Sequence, residues 1–126
     1  MPGGVAACPV KLGFVWEWPD SLDALVAASD FHRVVLETDD VRVLETTIGP
    51  GQTVPLHTHR WPSVLYVLAA GDVVRRDHEA ALLTDSRVTG APPAGSAAFL
   101  APMPPHTVEN VGSSEIRLLN VEMKRG

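Results

Sequence analysis

Cysteine is nearly absent: Cys8 is the only one in 126 residues. That excludes an intrachain disulfide framework and any zinc site built from cysteines. No apolar run approaches the ~20 residues that span a bilayer. Basic residues are in deficit, with 10 Lys and Arg against 15 Asp and Glu and a formal net charge of −5. This balance speaks against a nucleic-acid or anionic-membrane surface. The chain also lacks a glycine-rich phosphate loop and a serine in a nucleophile elbow. Lys11 follows the first apolar stretch, whereas a signal peptide carries its basic residues ahead of it. A cytoplasmic location is therefore expected, and an unpaired cysteine fits it.

What is present reads as one domain. Apolar residues make up 45% of the chain and charged residues 20%, enough for a core and against global disorder. Residues 1–30 read as an N-terminal extension with one short helix, and residues 31–126 as a β-barrel domain. In the extension, Phe14, Trp16 and Trp18 alternate, as in an extended segment docked on the body or on a partner. Asp20 to Ser29 reads as the helix, with Asp20 as cap and Leu22, Leu25 and Val26 on one face.

From Phe31 onward the pattern is short strands separated by turn residues. The strands expected are Val34–Leu36, Val41–Ile48, Val54–His59, Val64–Leu68, Val73–Val74, Ala80–Leu83, Arg87–Val88, Ala97–Leu100, His106–Val111 and Ile116–Met123. That spacing, with no helical crossovers, predicts an all-β sandwich or barrel.

The chemistry sits in the histidines. His57 and His59 are two apart on an expected strand, so their side chains share a face, ~7 Å apart along the backbone. Two imidazoles so placed can converge on one metal ion. Gly51 and Gly71 flank this pair, and Gly95, His106 and Asn110 follow in the same order further on. With these residues the chain resembles the cupin superfamily. Its first motif, Gly, His-x-His, Glu, Gly, meets Gly51, His57, His59 and Gly71. Its second motif, Gly, Pro-x-Gly, His, Asn, meets Gly95, His106 and Asn110. The resemblance covers roughly Phe31 to Lys124. It implies a double-sheet jelly-roll barrel, usually in a homodimer, with a divalent transition metal held by His57, His59 and His106.

Two places depart from the family. The motif glutamate falls at Ser63 or Val64, which offer no carboxylate, and the Pro-x-Gly falls at Ala101 and Met103. The remaining metal positions are then expected to hold water, an exogenous ligand or Glu122. The alternative for Glu122 is a strand-end residue paired with Lys124 or Arg125 at the surface. Tyr66 is a candidate catalytic phenol, or a plain barrel aromatic. His32 reads as a satisfied or surface histidine, Arg42 and Glu45 as a surface ion pair, and Arg75 to Glu79 as a solvated charged hairpin.

Zinc, iron, nickel, copper and manganese are the metals considered, and binding should weaken below about pH 6 as imidazoles protonate. Leu65, Val67, Phe99 and Leu118 are expected as apolar walls around a small-molecule ligand. Two functions follow from the resemblance. One is a metal-dependent oxygenase or isomerase-type enzyme, with Tyr66 and Glu122 as catalytic candidates. The other is a non-catalytic binding or sensor module with a weak or absent metal.

Overall fold

The computed structural model describes residues 16–124. Among these residues nine strands form two antiparallel sheets: β1 (His32–Glu37), β2 (Val41–Ile48), β3 (Thr53–His59), β4 (Ser63–Ala69), β5 (Val73–Asp77), β6 (Leu82–Asp85), β7 (Ala97–Leu100), β8 (Met103–Asn110) and β9 (Ile116–Met123). One sheet runs β1-β2-β9-β4-β7 and the other β3-β8-β5-β6. This is the expected all-β double-sheet jelly roll. No helix among the described residues is long and apolar enough to cross a membrane.

Alternation decides which side chains enter the space between the sheets. On β2 the inward set is Arg42, Leu44, Thr46 and Ile48, and on β9 it is Ile116, Asn120 and Glu122, all buried, with Leu118 between them. The apolar core occupies one end. Ala28, Ile48, Val54 and Ile116 pack there, with Phe31, Val73, Val108 and Leu118 against them. Asn110 closes that end, its amide donating to Ile48 O at 2.9 Å and Ser114 O at 2.8 Å while its Oδ1 accepts from Gly112 N at 3.0 Å. Gly51 sits beside it at φ +77°, where a side chain would strain the backbone, and donates its N–H to Asn110 O. At Gly71 a Cβ would lie 2.7 Å from Ile116 Cγ1, so the core requires glycine there.

Two sequence expectations are corrected. The Asp20–Ser29 helix is split into a 3-10 turn at Asp20–Leu22 and α1 at Ala24–Ala27. Asp23 is extended between them, at ψ 144°, because its side chain caps Leu25 N and its backbone bridges Thr58 of β3. Arg87 and Val88 are not a strand; they lie in α2, Ser86–Thr89, where Asp85 caps Arg87 N and Val88 is 82% exposed. Of the aromatic lead-in, Phe14 lies outside the described residues, and Trp18 packs on His78 of the same chain with ring centroids 5.4 Å apart.

Candidate metal centre

The two expected ligand strands are neighbours, and proline shapes both. Val54 pairs with Val108 and His57 with His106, so β3 carries one extra residue between them. His57 to His59 on β3 then spans His106 to Met103 on β8, so the extra residue moves to β8. These bulges fall at Pro55 and at Pro104-Pro105, residues that have no N–H to give the ladder. A bulge shifts the alternation by one. That shift puts Val54, His57 and His59 of β3 and Met103, His106 and Val108 of β8 on the same inward face of their sheet.

The prolines also supply acceptors. His57 Nδ1 donates to Pro55 O at 2.8 Å, and His106 Nδ1 donates to Pro104 O at 2.8 Å. The motif Pro-x-His therefore recurs with the same function on two paired strands. A carbonyl can only accept, so each ring carries its proton on Nδ1 and leaves the Nε2 lone pair free.

His59 is held by a carboxylate instead. Its Nδ1 donates to Glu122 Oε2 at 2.8 Å, and Arg42 Nε donates to the other oxygen at 2.6 Å. Arg42 in turn grips Asp23 with both terminal nitrogens, at 3.1 and 2.9 Å. Burial works against the Arg42 charge, but the hydrogen bonds to Asp23 and Glu122 outweigh it and hold its pKa above the ordinary value. Glu122 is fully buried, so it is neither at the surface nor paired with Lys124, which binds Glu37. Arg42 and Glu45 do not pair with each other. Arg42 points inward, while Glu45 meets Arg33 and Arg117 on the outer face.

His32 is the member that sequence reasoning did not place. Its Nδ1 donates to Ala28 O at 3.0 Å, just past the end of α1, which turns the ring inward. The ligand nitrogens of His32, His57 and His59 all lie within 4.8 Å of one another, and these three buried histidines could hold a metal ion. The expected third ligand, His106, is not in that group; its ring stands beside it, with its centroid 4.4 Å from that of His57 and 5.9 Å from that of His59. Among the described residues no protein hydrogen bond uses any of the four Nε2 atoms. The sequence signal for His32 was thin: a lone histidine has no partner spacing to mark it.

Burial keeps His32, His57 and His106 neutral. Desolvation pushes His32 down to about 4. His57 falls to about 2, by desolvation and then by repulsion from His106 and His59, and His106 to about 3, by desolvation first. The expectation that protonation weakens binding below about pH 6 is therefore corrected for these three rings. The cost appears in stability instead. Their folded pKa values lie below the unfolded 6.5, so the unfolded chain binds protons first as pH falls. The metal-free protein should lose about 1.4 kcal/mol per ring for each pH unit below ~6, down to about pH 4, where His32 begins to protonate in the fold. Urea midpoints between pH 7.5 and 5 measure this, and a flat profile contradicts it.

The histidines line one end of a cavity of about 300 Å³. Its walls include Leu65, Val67, Leu100, Met103 and Leu118, and its polar lining includes Thr46, Arg75 and Asn120. Phe99, expected as a wall, is 68% exposed on the outer face of β7. Tyr66 lies on the outer face of β4, 40% exposed, and is not part of the lining. Ser63, at the place of the motif glutamate, pairs in register with Glu122; its hydroxyl is buried without a partner. Val64 faces outward.

Solved structures share this fold. A cupin domain from Bordetella pertussis Tohama I superposes at a TM-score of 0.59 and 21% identity, over 74% of this chain and 91% of that one. The chain folds as a cupin. A protein with a double-stranded β-helix domain from Klebsiella pneumoniae is similar at a TM-score of 0.54 and 24% identity, over 73% of this chain and 74% of that one. The polyketide cyclase RemF from Streptomyces resistomycificus superposes at 0.51 and 21% identity, over 73% of this chain and 63% of the cyclase. No family model and no curated protein matches the sequence.

Proposed function

We propose that this cupin binds one divalent transition metal ion through His57, His59 and His106, with His32 as a fourth donor, and presents it to a small molecule in the barrel. One observation carries the reading. Four buried imidazoles have Nδ1 engaged by a carbonyl or carboxylate, and all four keep Nε2 free at the same cavity. That is the arrangement that orients metal-ligating histidines and raises their basicity. An all-imidazole set suits zinc, iron, nickel or copper, and suits manganese less, since manganese favours carboxylate and water. When bound, the metal would act as a Lewis acid toward an oxygen-bearing ligand. The chain's own groups orient the rings through Glu122, Pro55 and Pro104, and exclude water with the apolar walls.

An oxygenase or isomerase-type enzyme fits this arrangement. A second reading, a metal-dependent binding or sensor module, is favoured by one fact: among the described residues no Asp or Glu lines the cavity. A protein carboxylate is therefore not at hand as a general base.

Cobalt(II) titration of metal-stripped protein tests the metal. One equivalent per chain should bind with visible absorbance, and replacing both His57 and His106 with Ala should abolish it. Retained stoichiometric binding in that variant contradicts the proposal. Turnover of a small-molecule panel by the loaded protein then supports the enzyme, and binding without turnover supports the module.

A further inference from the structure

Two arginines among the described residues are not solvent-exposed, Arg42 and Arg75. Arg42 is matched by Glu122 and Asp23. Arg75 has no such match. It lies on β5, opposite Val108 of β8 and Thr84 of β6, and lines the cavity that the histidines face. Among the described residues its one side-chain hydrogen bond is a long one, 3.5 Å from Nη2 to Met103 Sδ, a weak acceptor. Desolvation alone acts on it and pushes its pKa down from the ordinary value. Arg75 is half-buried, and a guanidinium partly withdrawn from water beside apolar walls without a counter-charge is a candidate for pairing with a ligand anion.

The charge balance of the barrel points the same way. Behind His59, Asp23 and Glu122 against Arg42 leave one negative charge. A divalent ion at the imidazoles together with Arg75 leaves the interior positive, and among the described residues no acidic side chain lines the cavity to answer it. A second group also waits for a partner: Thr46 Oγ1 is buried, lines the cavity and makes no hydrogen bond.

We infer that the cavity selects a small carboxylic acid with an apolar body, its carboxylate paired with Arg75, its body against Leu65, Val67 and Leu118. The planar fork of the guanidinium matches a carboxylate in two parallel hydrogen bonds. Phosphate lacks the apolar body that the walls at Leu65, Val67 and Leu118 would cover. The inference rests on reading the cavity as a small-molecule site and gives that molecule its chemical class.

Calorimetric titration with butyrate and benzoate, their neutral amides and inorganic phosphate tests it, on metal-loaded and metal-stripped protein. At least one acid should bind ten-fold or more tightly than its amide. Arg75→Met should abolish that preference and leave the amide affinity unchanged, while Arg75→Lys should keep part of it. Arg75→Met should also fold with an unchanged or higher melting temperature, because it removes an unmatched, half-buried charge. An acid preference that needs Arg75 in stripped protein supports the inference even if the metal reading fails. Equal binding of acids and amides, no binding of either acid at millimolar concentration, a preference that survives Arg75→Met, or tighter binding of phosphate overturns it.

Discussion

Replacing Glu122 with Ala should destabilise the protein by about 3–5 kcal/mol and weaken metal binding by about 10- to 100-fold. Both effects come from one carboxylate. Glu122 is fully buried, and its two oxygens serve Arg42 at 2.6 Å and His59 at 2.8 Å. Without it, Arg42 keeps Asp23 but loses half its counter-charge in a dry site. His59 loses the acceptor that fixes its ring and its tautomer. Glu122→Gln keeps the volume and one acceptor oxygen, so it should fold better than Glu122→Ala while still binding metal less tightly than wild type. Urea unfolding reads the first effect and cobalt titration the second. A Glu122→Ala protein with wild-type affinity for metal would show that the carboxylate does not orient the site.

Asn110→Leu should produce a comparable loss of stability, about 3 kcal/mol or more, with no change at the metal. The side chain is fully buried and satisfies two carbonyls and one N–H across the closed end of the barrel. Leucine leaves those three backbone groups without partners, each costing ~1–3 kcal/mol if water cannot reach it. The histidines are anchored elsewhere, on Pro55, Pro104, Ala28 and Glu122. Urea midpoints should therefore fall while cobalt affinity, measured below the unfolding transition, holds. A joint loss of affinity would mean that the closed end also sets the geometry of the rings.

Strand alternation and turn residues made most of the fold legible, and β2, β7 and β9 have the expected bounds. The pair His57 and His59 was legible because a spacing of two means a shared face on any strand. What the sequence concealed depends on contacts between distant segments. Asp23 and Arg42 meet only once α1 docks on β3, and that docking also splits the expected helix. His32 acquires its role from Ala28 O, a backbone atom that no side-chain pattern advertises. Arg75 reads as part of a charged hairpin, yet it stands at the strand end of that hairpin, where alternation turns it inward. The bulges at Pro55 and Pro104-Pro105 were visible as prolines but not as devices, because their effect is on register and register belongs to the pair of strands.

The central claim is that four imidazoles hold Nδ1 protonated against the protein and offer Nε2 to one ion. Nitrogen-15 NMR of the imidazole rings, in metal-free protein and after one equivalent of zinc, tests it directly. The account predicts Nδ1–H for His32, His57, His59 and His106 before zinc, and a shift confined to their Nε2 resonances after it. A ring that carries its proton on Nε2 alone, or zinc that leaves the Nε2 resonances of His57, His59 and His106 unmoved, would contradict it.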